Sequence, residues 1–145
     1  MNIWPIVFLF VSLATCASSN FGVWSTSCSD GEGFTINIES KSNPLIVNDN
    51  QIVINIHAKE IQKNKIDIFY DGTADLGRGG MNFDWNNVSS TMPLAELNII
   101  NQNGELQWKG FYDMKKSKYY WTNDPDFVQS YAENGIIKLH KCKSY

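Results

Sequence analysis

The side chains of this 145-residue chain that could act as a nucleophile, a base or a metal ligand do not form a recognisable catalytic or metal-binding motif. The two histidines, His57 and His140, fall in segments that predict strands, and His57 projects from the polar side of its strand. A Cys–His nucleophile would need Cys28 as a free thiolate. This requirement conflicts with the disulfide that is predicted for Cys28 below. The sequence has no Gly-x-Ser-x-Gly elbow, no paired metal-ligand spacing and no phosphate-binding loop. We therefore predict that the protein is not an enzyme and uses no catalytic residue, metal or cofactor.

A short acidic segment imitates the start of a calcium-binding loop. Asp71, Thr73 and Asp75 occupy its first, third and fifth positions. The sixth position, where glycine allows the sharp turn, is Leu76, and the twelfth, where a bidentate glutamate is needed, is Asn82. The segment therefore predicts turns within a long loop over residues 71–93 and not a cation site.

One cluster has the chemistry of a binding surface. Three lysines lead into three aromatic residues, in the order Lys115, Lys116, Lys118, Tyr119, Tyr120 and Trp121. Amphipathic aromatic rings beside lysines suit a protein partner or lipid head groups. The candidate ligand-binding residues are Trp108, Tyr119, Tyr120 and Trp121. The alternative is that the lysines are the solvated flank of an ordinary strand and that the tryptophans belong to the core.

The first nineteen residues carry no charged side chain and predict a secretory signal peptide. An apolar run from Ile3 to Ala14 is followed by small residues, which is the usual order in such a leader. The run is too short for a membrane-spanning helix, which needs about 20 apolar residues. Two alternatives stay open: an uncleaved anchor, and a bacterial lipoprotein modified at Cys16. We expect residues 20–145 to form a single secreted β domain without a membrane span, the bacterial periplasm being the alternative location.

Two covalent modifications follow from this compartment. The cysteines that remain after the leader are Cys28 and Cys142, and an even number in an oxidising compartment predicts a disulfide between them. Two separate thiols are the alternative. Asn87 begins an Asn-Val-Ser sequon, which would accept a glycan if the source is eukaryotic.

The charge of the chain argues against nucleic-acid binding. The net charge is −3, and Arg78 is the single arginine. Nucleic-acid binding relies on clustered basic residues. The chain is therefore not expected to bind nucleic acid.

Several segments alternate apolar and polar residues with a period of two, the pattern of a half-buried strand. The inward rows that this alternation predicts are Phe34, Ile36 and Ile38, then Ile52, Ile54, Ile56 and Ala58, then Ile66, Ile68 and Tyr70. Residues 136–142 predict a last strand. Between these strands, Asn103-Gly104 is the dipeptide favoured in a type I′ turn and predicts a hairpin in which Ile99 faces Trp108.

A short helix is predicted near the C-terminus. Asp124 would cap it, Pro125 suits its first position, and Gly135 would end it. Phe127 and Tyr131, four residues apart, would share one face. Five or more antiparallel strands with one short C-terminal helix predict a mainly β fold, either an immunoglobulin-like antiparallel β-sandwich or a small barrel.

Five segments of the N-terminal half follow one another at familiar distances: Trp24 to Cys28, Phe34 to Glu39, Pro44, Gln51 to Ile56, and Lys65 to Tyr70. Together they resemble the ML lipid-recognition family of secreted proteins. The resemblance implies an immunoglobulin-like sandwich whose two sheets part to hold a lipid tail. It would also fit a disulfide from an early cysteine to a late strand.

A second set of segments resembles the small periplasmic lysozyme-inhibitor barrels. It consists of Cys28 to Gly31 before a strand, Tyr120-Trp121 ahead of a helical turn, and the closing Cys142. Two functional hypotheses result. The first is a secreted, non-catalytic protein that holds a lipid or other apolar ligand between two sheets. The second is a secreted or periplasmic protein-binding module, such as a lysozyme-inhibitor-like or immunity protein, that docks through a loop within residues 71–93.

Overall fold

A computed structural model describes residues 19–29, 31–48, 52–78, 80 and 82–143 of the chain. The predicted signal peptide, apart from its last residue, and Cys16 lie outside the described residues. The described part forms ten strands, one α-helix and one turn of 3₁₀ helix. The strands are β1 (Gly22–Ser25), β2 (Thr35–Ile38), β3 (Asn43–Asn48), β4 (Ile52–Gln62), β5 (Lys65–Asp75), β6 (Ala95–Ile100), β7 (Asn103–Trp108), β8 (Phe111–Asp113), β9 (Lys118–Tyr120) and β10 (Ile137–Lys141). The helix α1 spans Asp126–Tyr131, and the 3₁₀ turn spans Trp85–Asn87.

Eight strands form one antiparallel sheet in the order β2-β1-β10-β7-β6-β5-β4-β3, and β8 pairs with β9 in a separate hairpin. The large sheet curls until its edge strands β2 and β3 approach each other. The backbone N–H of Ala58 in β4 donates to the carbonyl of Glu39, directly after β2, at 2.7 Å. Helix α1 packs against β3 and β10. The predicted mainly β fold with one short helix is confirmed, and the sheet is nearly closed like a barrel.

The core lies inside the curled sheet. All the side chains of the three predicted inward rows are buried, and the residues between them are exposed or half-buried. Trp24, Leu97 and Leu106 extend this core across neighbouring strands. Because burying one isoleucine or leucine side chain is worth about 1.5–3 kcal/mol, these rows set the orientation of every long strand.

The predicted disulfide between Cys28 and Cys142 is confirmed, with the two Cα atoms 5.4 Å apart. It joins the segments that follow β1 and β10, two strands that already pair in the sheet. A disulfide is typical of proteins from oxidising compartments. Within the described residues, no helix has the length and apolarity needed to cross a bilayer.

The predicted register of the β6–β7 hairpin is wrong. Ile99 pairs with Gly104 and not with Trp108, so that the two-residue turn is Asn101-Gln102. Asn101 takes the positive φ that the turn requires, 59°. The two registers differ by an even number of residues, and such a shift leaves the same side chains facing inward. The inward face was therefore predicted correctly although the pairing was not.

Gly104 lies in β7 because of its neighbours and not because of a turn. A Cβ atom at this position would lie 2.8 Å from Cδ1 of Leu97 and 3.0 Å from two ring atoms of Trp24. Both neighbours are fully buried. Only glycine lets the Trp24 ring lie this close to the sheet.

The ends of α1 also differ from the prediction. Pro125 is the N-cap, with extended backbone, and no side chain caps the helix, so Asp124 is not the cap. Since the helix begins one residue later than predicted, the Asp124 side chain is too far back along the chain to cap it. The helix ends at Tyr131, with Ala132 as its C-cap, and not at Gly135. Asn134 and Gly135, with φ of 52° and 79°, form a separate tight turn before β10, the Asn-Gly type I′ turn that was predicted elsewhere.

The acidic segment that imitates a calcium loop belongs to β5, and its prediction as turns is wrong. Asp75 pairs with Val53 and Thr73 with Ile54 across a β4–β5 ladder interrupted by bulges. Ladder pairing and the packing of long strands override the local turn preference of Asp and Gly. The loop between β5 and β6 is therefore shorter than predicted and contains the 3₁₀ turn.

Candidate ligand-binding groove

A groove lies where the two edges of the curled sheet approach each other, between the start of β2, the strand β3 and the helix α1. We call it the seam groove; its volume is about 540 Å³. The described residues that line it are Gly33, Phe34, Thr35, Pro44, Leu45, Ile46, Val47, Asn48, Asp126, Phe127, Ser130 and Tyr131. The groove thus draws on three segments that are distant in sequence.

The floor of the seam groove is aromatic. The rings of Phe34 and Phe127 stack with their centroids 4.3 Å apart and an interplanar angle of 17°. The ring of Trp108 meets Phe127 edge-on at 5.2 Å. Stacked and edge-to-face aromatic pairs stabilise beyond the area they bury. Phe127 therefore anchors a six-residue helix that is too short to be stable by itself.

Large apolar side chains at the rim of the seam groove are exposed to solvent. Ile46 is 61% exposed and Tyr131 is 41% exposed. Leu45 and Val47 are buried on either side of Ile46, so strand alternation turns Ile46 outward. Exposed apolar residues gathered at a concave surface are typical of a binding site.

The polar groups of the seam groove are hydroxyls, the amide of Asn48 and one carboxylate. Thr35, Ser130 and Tyr131 supply the hydroxyls, and Asp126 supplies the carboxylate. The described lining residues include no lysine or arginine. β3 is an edge strand of the sheet, and Pro44 within it cannot donate a hydrogen bond to a neighbouring strand. The described lining therefore combines apolar side chains with a few polar groups.

The four predicted ligand-binding residues are not among the described residues that line this groove. They lie close together around the β8–β9 hairpin. Trp108 is 8% exposed, and its Nε1 donates to the carbonyl of Trp121 at 2.9 Å. The hydroxyl of Tyr119 donates to the carbonyl of Pro93 at 3.0 Å, and burial raises the pKa of this hydroxyl. Of the four, Trp108 reaches the floor of the groove through its contact with Phe127.

The loop between β5 and β6 is held down by aromatic packing. The rings of Phe83 and Trp85 lie 4.9 Å apart, and Trp85 lies 4.9 Å from the buried ring of Phe111. Nε1 of Trp85 also donates to the carbonyl of Gly80 at 2.8 Å. The docking of this loop into a protein partner stays a prediction.

The other candidate side chains lie outside the groove. Asn87 ends the 3₁₀ turn, and its Nδ2 donates to Asp84 at 2.8 Å. His57 lies 2.5 Å from Asp71 on neighbouring strands, and its ring stacks on Phe69 at 5.3 Å. Within the described residues, no group of three or more His, Cys, Asp or Glu side chains could hold a metal ion.

Sequence reasoning missed the seam groove. A signal was present in β3, where Ile46 stands between two apolar residues of an alternating strand and Pro44 marks an edge. What the sequence does not show is that α1 packs beside this edge, since that depends on how far the sheet curls.

Comparison with known proteins finds no relative. A scan against protein-family models, a search of curated proteins and a search of solved structures each give no match to this chain. A functional assignment therefore has to come from the groove itself.

Proposed function

We propose that this protein is a secreted, non-catalytic binding protein that takes an apolar or amphipathic ligand, such as a lipid, into the seam groove. The observation that carries the proposal is the aromatic floor of Phe34 and Phe127 beneath the exposed side chains of Ile46 and Tyr131. The disulfide supports a secreted or periplasmic location.

The size of the seam groove suits a small ligand. Its volume of about 540 Å³ falls within the range of about 300–1,000 Å³ common for small-molecule sites. Covering Ile46, which is 61% exposed, would contribute roughly 1–2 kcal/mol, because full burial of an isoleucine is worth about 1.5–3 kcal/mol. Tyr131 adds a second apolar surface with a hydroxyl at its end.

The charge of the lining selects among amphipathic ligands. A fatty-acid carboxylate in the groove would find no lysine or arginine among the described lining residues. An unpaired charge is costly to desolvate. A fatty alcohol or a monoacylglycerol avoids this cost, and hydroxyls such as that of Ser130 can pair with its polar end. We therefore expect neutral amphiphiles to bind better than fatty acids.

Titration with the neutral dye Nile red tests the proposal. The wild-type protein should enhance and blue-shift the dye emission in a saturable way. Ile46→Asp should weaken binding at least about ten-fold, since a loss of 1.4 kcal/mol is a factor of ten. Ile100→Asp is the matched control, because Ile100 is 59% exposed at the end of β6 and is not among the described lining residues.

Two results would contradict the proposal. One is the absence of saturable binding by a folded wild-type protein. The other is an equal loss of binding in the Ile46 and Ile100 variants, because this would indicate adsorption to exposed isoleucine anywhere on the surface. Circular dichroism of each variant shows whether it is folded.

A further inference from the structure

The β8–β9 hairpin ends in an exposed basic turn, which we call the lysine tip. It consists of the exposed residues Met114, Lys115, Lys116, Ser117 and Lys118. The strands that carry it pair Phe111 with Tyr120 and Asp113 with Lys118. None of these residues is among the described residues that line the seam groove. The tip is therefore a separate feature.

The backbone of the lysine tip is fixed from within. The buried carboxylate of Asp113 accepts the backbone N–H groups of Lys115 and Lys116, both at 2.9 Å. The N–H of Met114 donates to the carbonyl of Asn87 at 2.9 Å. Ser117 closes the turn with φ of 53°. Because the turn is already ordered, a partner pays little conformational entropy for fixing it.

The charge of the lysine tip is not neutralised by its surroundings. The Nζ atoms of Lys116 and Lys118 lie 5.2 and 4.7 Å from the centroid of the Tyr120 ring, which attracts both cations. None of the three lysines forms an ion pair with another described residue. Asp113 is turned inward onto backbone N–H groups, and Asp84 accepts from the neighbouring 3₁₀ turn. Residues 111–120 carry a net charge of +2, whereas the whole chain carries −3.

We propose that the lysine tip docks the protein onto membranes rich in anionic phospholipid. Met114, 55% exposed, is an unbranched apolar chain at the centre of the tip that can enter the head-group boundary. Lysines beside it extend their apolar stems while their ammonium groups stay at the phosphates. The ring of Tyr120 supplies the amphipathic aromatic surface typical of membrane interfaces.

The composition of the tip distinguishes a membrane from other polyanions. Nucleic-acid sites favour arginine for bidentate phosphate and base contacts, and the tip has none. A soluble acidic protein would use the lysines but has no need of Met114. Each lysine near an anionic membrane is worth about 1 kcal/mol, or about five-fold in binding.

Co-sedimentation with phosphatidylcholine vesicles, with and without phosphatidylserine, tests the proposal. The wild-type protein should co-sediment with the vesicles that contain phosphatidylserine and not with those of phosphatidylcholine alone. Replacing Lys115, Lys116 and Lys118 together by glutamine should weaken this binding by about two orders of magnitude. The control replaces three exposed lysines elsewhere, Lys41, Lys63 and Lys138, with the same change in net charge. It should lose less than about five-fold.

The variant Met114→Gln separates a membrane from a soluble polyanion. It should weaken binding to phosphatidylserine vesicles and leave binding to polyglutamate unchanged. The proposal is overturned if the wild-type protein ignores anionic vesicles, if both lysine triples lose binding equally, or if Met114→Gln has no effect on vesicle binding. None of these results bears on the seam groove, because the Nile red titration of the lysine triple should match that of the wild type.

Discussion

Gly104 provides a test of how the sheet packs, because a methyl group at this position would meet neighbours on two strands. Its Cβ would lie 2.8 Å from Cδ1 of Leu97 and 3.0 Å from two atoms of the Trp24 ring. Gly104→Ala should therefore lower the free energy of unfolding by about 1–3 kcal/mol, the usual cost of forcing extra atoms into a packed core. The cost is steric, since Gly104 is not among the glycines with positive φ.

A double-mutant cycle with Leu97 identifies this cause. Leu97→Val removes the Cδ1 atom that would clash, and alone it should cost about 1 kcal/mol for the lost methylene group. Combined with Gly104→Ala, the total loss should be smaller than the sum of the two single losses by at least about 0.5 kcal/mol, because the smaller side chain makes room for the methyl group. The double variant should still be destabilised by the added methyl group, since the Trp24 ring stays in place.

The assay is urea denaturation of the four proteins, followed by far-UV circular dichroism. Gly135→Ala is the matched control: its Cβ meets nothing within 4 Å, but φ is 79°. It should cost about 1–2 kcal/mol through backbone strain and show no coupling to Leu97→Val. A Gly104→Ala variant with an unchanged free energy of unfolding would refute the reasoning. So would additive losses in the cycle, since the cost would then not arise from the contact with Leu97.

Two further changes test the covalent and electrostatic parts of the fold. Replacing both Cys28 and Cys142 by serine should lower the free energy of unfolding by about 4–5 kcal/mol in urea, since the bond joins residues 114 positions apart; a loss below about 1 kcal/mol would contradict this. Burial, and secondarily the charge of Glu96, raises the pKa of Asp67 above its ordinary 3.8. The contribution of Asp67 to the free energy of unfolding is therefore fully present below pH 3.8, and it is lost as the pH rises through the pKa of the folded state. Asp67→Asn should therefore raise the Tm at neutral pH, by an amount that shrinks as the pH falls toward 3.8. An unchanged or lower Tm at neutral pH would show that burial does not penalise this charge.

The strands of this fold were predictable because their signal is local. Alternation identified the inward rows of β2, β4 and β5 by residue, and the two cysteines outside the predicted leader predicted the disulfide. The turns were less predictable. Asn103-Gly104 and Asn134-Gly135 are the same dipeptide, and only the second forms the turn. The two sites differ in that the Trp24 ring lies against Gly104, a contact between segments distant in sequence, whereas a Cβ at Gly135 would meet nothing within 4 Å.

The candidate site was not predictable in the same way. The aromatic residues around β8 and β9 attracted attention because they are adjacent in sequence. The seam groove joins Phe34, Ile46 and Phe127, which no local pattern connects. Their meeting depends on the curl of the sheet and on the placement of a short helix against its edge, and both are set by the packing of the whole core.

The most direct test of ligand binding in the seam groove is chemical-shift mapping of ¹⁵N-labelled protein titrated with dodecanol, a neutral amphiphile. The largest and saturable shifts should fall in residues 33–35, 44–48 and 126–131, with the lysine tip unchanged. A titration without saturable shifts, or with its largest shifts in residues 108–121, would contradict binding in the groove.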